Sequence, residues 1–213
     1  MTVAARAATA APLTAALLAA TLLGWASIGC GPTPVPWVAD DGQLAASLDY
    51  DDALDSWTRR REVYEAFESR VFAHATYVSP AFAAVWARFR AERLGLAQEA
   101  AAADRATIVG RAQGEARFFV AVSTNDPFWN DLHRTGGSLR ATLGAGTDEP
   151  AIPALSVTRL SNDEVADARI WFPYLDPLTA GYWVVFALPE DHRRLHLRIA
   201  GPPAVIDLAW ETR

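Results

Sequence analysis

Apolar residues beyond position 43 recur with two different periods, and the change between them falls near Gly114. Before Gly114, apolar side chains repeat at offsets of three, four and seven residues, as they do on one face of an α-helix. The first such stripe consists of Leu54, Trp57, Tyr64, Phe67 and Val71. The pattern therefore predicts a helical region over residues 43–114.

Two further helices are predicted inside this region. Ser79-Pro80 has the residue types favoured at the N-cap and the first position of a helix, and Gly95 is a typical helix stop. The interval carries an apolar stripe made of Phe82, Val85, Trp86 and Phe89. A third, Ala-rich helix is expected over residues 97–111.

Beyond Gly114 apolar and polar residues alternate with a period of two, which is typical of β-strands. The predicted strands are residues 116–123, 138–143, 154–160, 169–173, 182–188, 194–200 and 204–212. Seven strands in about a hundred residues are typical of an immunoglobulin-like sandwich. We therefore predict an α+β protein, with about three N-terminal helices packed on a C-terminal, all-β, seven-stranded Ig-like sandwich over residues 115–213.

Two of these strands are apolar at every position, namely residues 118–122 and 182–186. A strand that is buried on both faces has such a continuous apolar run. We therefore expect the helical region to cover the outer face of the sheet that contains them. Alternation in the last two strands predicts inward-facing side chains at Leu195, Leu197, Ile199, Ile206, Leu208 and Trp210.

The first thirty residues differ from the body of the chain. Arg6 is their only charged side chain, and residues 7–29 form an uncharged, largely apolar stretch. A short basic start followed by an apolar stretch and small residues is typical of a secretory signal peptide, here residues 1–29. Ser27-Ile28-Gly29-Cys30 resembles the lipobox of bacterial lipoproteins, with Ser27 at the position that usually holds Leu.

The lipobox resemblance implies cleavage between Gly29 and Cys30, lipidation of Cys30 and, because Gly31 rather than Asp follows, transfer to the outer membrane. Two or more acyl chains hold a protein at a membrane without a span. Residues 30–42, with alternating prolines, would then form an extended tether. Three alternatives remain open: plain secretion after cleavage at Gly29 or Ala26, a retained membrane span, and Cys30 as a chance thiol.

The body also resembles the helices-plus-sandwich lipoproteins of unknown function that occur in GC-rich Gram-negative bacteria. The segments that carry the resemblance are Ser79-Pro80-Ala81-Phe82, Phe118-Phe119-Val120, Trp129-Asn130-Asp131-Leu132, Trp171-Phe172-Pro173-Tyr174 and Tyr182-Trp183-Val184-Val185-Phe186. This resemblance implies a place in the cell envelope and brings no activity with it.

Composition excludes several classes of function. The 213 residues include 25 acidic and 19 basic side chains, all of the latter Arg, and the net charge is −6. A nucleic-acid-binding protein would show a basic balance or a basic stripe. The single Cys excludes an intramolecular disulfide and a metal site built from cysteines. We expect no cofactor and no nucleic-acid partner.

The strongest polar constellation lies in the loop after the first predicted strand. Asp126, Asp131 and His133 could bind a metal ion or support hydrolysis with carboxylate and imidazole groups. We favour a different interpretation, in which Asn and Asp side chains build turns by bonding their own backbone while Phe128 or Trp129 plugs the end of the sandwich. The common nucleophile, phosphate-loop and zinc motifs are absent from the sequence.

The aromatic segment Trp171-Phe172-Pro173-Tyr174 offers a candidate partner surface at Trp171 and Tyr174, although we favour core packing. The prediction for function is a non-catalytic binding or assembly module, anchored to the membrane through lipidated Cys30, with an envelope protein as partner. One alternative is a metal-dependent hydrolase that uses the loop of residues 125–133. The other is a purely structural component of the envelope.

Overall fold

The computed structural model describes residues 48–144, 151–190 and 194–211, which contain four α-helices, one 3₁₀-helix and nine strands in two antiparallel sheets. In chain order the elements are α1 (Tyr50–Trp57), β1 (Thr58–Glu65), β2 (Glu68–Tyr77), α2 (Pro80–Leu94), α3 (Gln98–Gly114), β3 (Glu115–Thr124), the 3₁₀-helix (Pro127–Trp129), β4 (Arg140–Gly144), β5 (Ile152–Pro153), β6 (Ser156–Arg159), α4 (Asn162–Trp171), β7 (Ala180–Ala187), β8 (Arg194–Gly201) and β9 (Ala204–Glu211). The predicted α+β class is confirmed. The predicted signal peptide and tether, residues 1–29 and 30–42, lie outside the described residues.

Sheet 1 has five strands in the order β1-β2-β3-β7-β6, and sheet 2 has four in the order β5-β4-β8-β9. In the register of sheet 1, Phe118 of β3 lies opposite Tyr77 of β2 and Val184 of β7. Phe119 points to the other face, because successive side chains of a strand alternate between faces. Sheet 1 therefore has an inner face around Phe118 and an outer face around Phe119.

The inner face of sheet 1 shares one apolar cluster with sheet 2. The ring of Phe118 lies 5.1 Å from Trp210 of β9 and 5.8 Å from Phe186 of β7. Trp210 is fully buried, and its indole N–H donates to the main-chain carbonyl of Trp57 at 2.8 Å. Burying a side chain of this size contributes about 3 kcal/mol of apolar transfer free energy. Trp210 therefore stabilises the contact of sheet 2 with the inner face of sheet 1.

The outer face of sheet 1 is covered by aromatic side chains from the helices and the segment after α4. Phe119 stacks on Phe172 with 3.9 Å between ring centroids, and Trp86 of α2 stacks on Trp183 of β7 at 6.1 Å. Every residue of β3 from Phe118 to Val122 is consequently buried. Contacts on both faces explain why residues 118–122 of this strand are all apolar.

The second and third predicted helices are confirmed as α2 and α3. The Ser79 hydroxyl accepts from the main-chain N–H of Phe82 at 3.1 Å, and Gly95 ends α2 in the left-handed conformation at φ 62°. Those two groups satisfy main-chain atoms that a bare helix end would leave unpaired. Five predicted strands are also present, as β3, β4, β7, β8 and β9.

The predicted continuation of the first helix through Tyr64, Phe67 and Val71 is wrong. α1 ends at Trp57, and the chain then forms the antiparallel hairpin of β1 and β2. β2 pairs with β1 on one side and with β3 on the other, so its main-chain hydrogen bonds are made within the sheet. The tight turn contains Ala66 at φ 53°, a left-handed conformation that Gly or Asn usually adopts. Because neither residue type is present there, no local signal in the sequence predicted the turn.

The C-terminal part of the chain is not all-β, as the sequence predicted. Residues 169–173 belong to the end of α4 and the turn after it, and predicted strand 154–160 is shortened to β6. α4 begins with a capping box: the Ser161 hydroxyl accepts from the Glu164 N–H at 3.4 Å, and the Ser161 N–H donates to the Glu164 carboxylate at 2.8 Å. Such reciprocal caps favour a helix start over a strand.

Candidate interaction surface

Asp131, which the sequence offers as a metal ligand, is a buried brace for the loop between β3 and β4. Its Oδ2 atom accepts from the main-chain N–H of Ser138 at 2.6 Å, and its Oδ1 atom accepts from that of Leu139 at 3.0 Å. Burial raises the pKa of Asp131, but the N–H groups of Leu139 and Ser138 outweigh it, so the pKa lies below its usual value. The carboxylate therefore stabilises the loop as an anion.

The other two residues of the predicted metal set have separate partners. The Asp126 carboxylate accepts from the N–H of Phe128 at 2.9 Å, at the start of the 3₁₀-helix. His133 packs beside Tyr182 with 6.0 Å between ring centroids, and burial together with the charge of Arg159 lowers its pKa. Within the described ranges, no group of three or more His, Cys, Asp or Glu side chains is placed to hold a metal ion.

The candidate partner surface at Trp171 and Tyr174 is corrected by the structure, because both side chains pack in the outer aromatic layer. Trp171 is 6% exposed, and its main-chain carbonyl accepts from the hydroxyl of Tyr50 at 2.5 Å. Tyr174 shares a 2.6 Å hydrogen bond with Thr76 and stacks on His74 at 5.1 Å. Burial raises the pKa of Tyr174. Trp171 therefore holds the end of α4 against α1, and Tyr174 holds the segment after α4 against sheet 1.

Large apolar side chains are exposed at eight positions among the described residues, and four of these lie at one end of sheet 1. These four are Tyr64, Phe67, Phe128 and Leu178, which we call the tip surface. The ladder between β2 and β3 ends with Val71 opposite Thr124, and the ladder between β3 and β7 ends with Val122 opposite Ala180. The β1–β2 turn, the 3₁₀-helix and the loop before β7 therefore leave the sheet at the same end.

The hairpin of β1 and β2 projects beyond its neighbours at this end. Three residues of β2, Glu68, Ser69 and Arg70, precede the first residue that pairs with β3. Three residues of extended chain span about 10 Å, which lifts Phe67 above the end of β3. Phe67 is fully exposed at the turn, and the N–H of Asn125 donates to the carbonyl of Arg70 at 3.1 Å. This hydrogen bond joins the projecting hairpin to the connection that carries Phe128.

Five acidic residues lie on the segments that carry the tip surface. They are Glu62, Glu65, Glu68, Asp126 and Asp176, and all five residues are exposed. Arg70 forms a 2.9 Å ion pair with Glu65 across the hairpin. Arg134 and Arg159 lie on the side of β7 and β6, since Arg159 is opposite Tyr182. The apolar tip therefore has an acidic rim on the side of the hairpin.

Sequence reasoning did not find the tip surface, because its members come from separate connections. Tyr64 and Phe67 were expected on a buried helix stripe. Either Phe128 or Trp129 was expected to plug the end of the sandwich, and Phe128 is 67% exposed. A local signal does exist in the pattern Glu65-Ala66-Phe67-Glu68, where an aromatic residue stands between acidic ones. That pattern is unusual for a buried position, since acidic side chains rarely lie inside.

Comparison with known proteins gave no match: no protein-family model, no curated protein and no solved structure resembles this chain. Among the described residues, no helix has the length and apolar character needed to cross a membrane. The function is therefore argued from the residues and their arrangement.

Proposed function

We propose that this chain is a lipid-anchored cell-envelope protein that acts as a non-catalytic binding or assembly module through its tip surface. The observation that carries the proposal is the exposure of four large apolar side chains on neighbouring connections at one end of sheet 1. Burying each against a partner would contribute about 1.5–3 kcal/mol of transfer free energy. Apolar side chains gathered in this way are typical of interaction surfaces.

The lipid anchor in this proposal is supported by the sequence Ser27-Ile28-Gly29-Cys30, which lies outside the described residues. Cys30→Ala should abolish incorporation of labelled palmitate and remove the protein from the membrane pellet. A wild-type chain that takes up no label would refute the anchor, and with it the outer-membrane location.

We also infer that the two sheets form a sandwich of immunoglobulin-like architecture, the finer form of the predicted fold. Support comes from the shared cluster, in which Trp210 of sheet 2 lies against Phe118 of sheet 1. In such sandwiches the connections gather at the two ends, where they carry binding surfaces. The tip surface lies at one of these ends.

The binding proposal is tested by removing apolar area from the tip. A variant with Phe67→Ser and Leu178→Ser is compared with Leu155→Ser. Leu155 is also exposed, at 66%, but its N–H donates to the carbonyl of Val185, toward the opposite end of sheet 1. In native gels of gently solubilised envelopes, the wild type and Leu155→Ser should migrate in a complex larger than the lipidated chain alone. The tip variant should migrate alone while its circular dichroism is unchanged.

Two results would contradict this proposal. A wild-type chain that migrates alone has no stable partner, and a tip variant that stays in the complex binds through another surface. Circular dichroism and urea unfolding of the same variants show whether a loss of the complex follows from unfolding instead. Since both substituted side chains are exposed, the free energy of unfolding should change by less than about 0.5 kcal/mol.

A further inference from the structure

We propose that the partner of the tip surface is a protein whose docking site is an apolar pocket rimmed by Arg and Lys side chains. This inference rests on the proposed function and adds the chemistry of the partner. Phe67 enters the pocket, and the acidic rim pairs with the basic one.

The shape of the tip requires a concave partner. Phe67 stands at the end of a hairpin that extends three residues past β3, so it is a knob and not part of a flat face. The knob is held in place by the β1–β2 ladder, by the Arg70–Glu65 ion pair and by the hydrogen bond from Asn125 to Arg70. A preformed aromatic knob loses little conformational entropy on binding, which favours insertion into a pocket.

The charge of the rim selects the kind of partner. Glu65 and Glu68 flank the knob at the end of the hairpin, and Glu62 lies opposite Phe72, farther along β1. Asp126 and Asp176 lie on the two neighbouring connections. An anionic bilayer would repel these carboxylates, and inserting Phe67 into lipid would drag Glu68 toward a medium of low dielectric constant. A second copy related by a twofold axis would bring the same acidic rims together. A basic protein surface complements the rim and speeds association.

The test places a photoreactive p-benzoylphenylalanine at position 67 of the full chain, expressed in its own host, with the same residue at position 155 as a control. Position 67 should give one discrete protein adduct, and position 155 should not. Mass spectrometry of the adduct should map the cross-link to a segment with Arg or Lys on either side of apolar residues.

The charge of the rim is tested on the same cross-link. Glu62→Gln combined with Glu68→Gln should lower the adduct yield about fivefold, as expected for the loss of two exposed ion pairs. Glu115→Gln combined with Glu211→Gln should leave the yield unchanged, because both residues lie at the far ends of their strands. Added salt should weaken the wild-type cross-link and have little effect on the rim variant.

The other outcomes separate this inference from the proposed function. An adduct with lipid, or with a second copy of this chain, overturns the inference. An adduct that does not respond to the rim substitutions or to salt also overturns it, while the binding function of the tip stands. If position 67 gives no adduct and the native gel shows no complex, the proposed function fails as well.

Discussion

Asp131→Ala removes a buried carboxylate that accepts two main-chain hydrogen bonds. The N–H of Leu139 is buried and would lose its hydrogen-bond partner. Ser138 is half-buried, so its N–H can donate to a water molecule instead. A hydrogen bond to a charged group contributes about 1.5–3 kcal/mol, and a buried N–H left unpaired has a comparable cost. We therefore expect the free energy of unfolding to fall by about 3 kcal/mol.

Urea unfolding of the purified full-length chain near pH 7 measures this loss. Asp131→Asn retains one acceptor oxygen and should lose about half as much. The matched control is Asp126→Ala, which removes a single exposed cap from a one-turn helix and should cost at most about 1 kcal/mol. If the free energy of unfolding of Asp131→Ala changes by less than about 0.5 kcal/mol, Asp131 does not stabilise the loop. If the wild type binds a stoichiometric metal ion that this substitution removes, the hydrolase alternative is favoured.

The lowered pKa of Asp131 gives the same prediction a pH dependence. Because the pKa is lower in the folded chain, the stabilisation is present above the unfolded value and is lost as the pH falls through the folded value. The stability difference between the wild type and Asp131→Asn should therefore be full near pH 7 and shrink below about pH 4. A difference that grows in acid would contradict the sign.

Three further substitutions test the packing around the same loop, the interior of α3 and the contact between the two sheets. A Cβ at Gly201 would clash with the carbonyl oxygen of Ser138, so Gly201→Ala should destabilise the fold by about 2 kcal/mol. Gly110→Ala, at a helical position with open space, should instead stabilise it by up to about 1 kcal/mol, and urea unfolding distinguishes the two signs. Trp210→Phe leaves the Trp57 carbonyl unpaired in the core and should cost about 2 kcal/mol. An unchanged melting curve for Trp210→Phe would contradict this.

Local signals predicted the parts of the fold whose causes are local. Ser79 and Gly95 predicted the two ends of α2, because a capping hydroxyl and a left-handed glycine act within one turn of the helix. The alternation of apolar and polar residues predicted β8 and β9, since each strand has one face in the core and one in solvent. The capping box of Ser161 and Glu164 was an equally local signal for α4, but the aromatic run that follows it suggested a strand.

The hairpin of β1 and β2 could not be predicted in this way. Ala66-Phe67 contains no typical turn residue, and Tyr64, Phe67 and Val71 fall at helical spacing by coincidence. What holds β2 as a strand is its pairing with β3, about fifty residues away in the chain. A contact of that range leaves no periodic trace in the sequence, because either partner alone is compatible with more than one structure.

The sequence by itself determined the α+β fold class, the ends of α2 and most of the later strands. It also contains the single Cys that is the proposed lipid attachment site. Tertiary structure alone decided which aromatic residues are buried. Trp171 is held by α1 and α2, and Tyr174 is held by sheet 1. In contrast, Phe67, Phe128 and Leu178 remain exposed where neighbouring strands end together. The physical reason is that burial depends on which segments pack around a side chain, and those segments are distant in the chain.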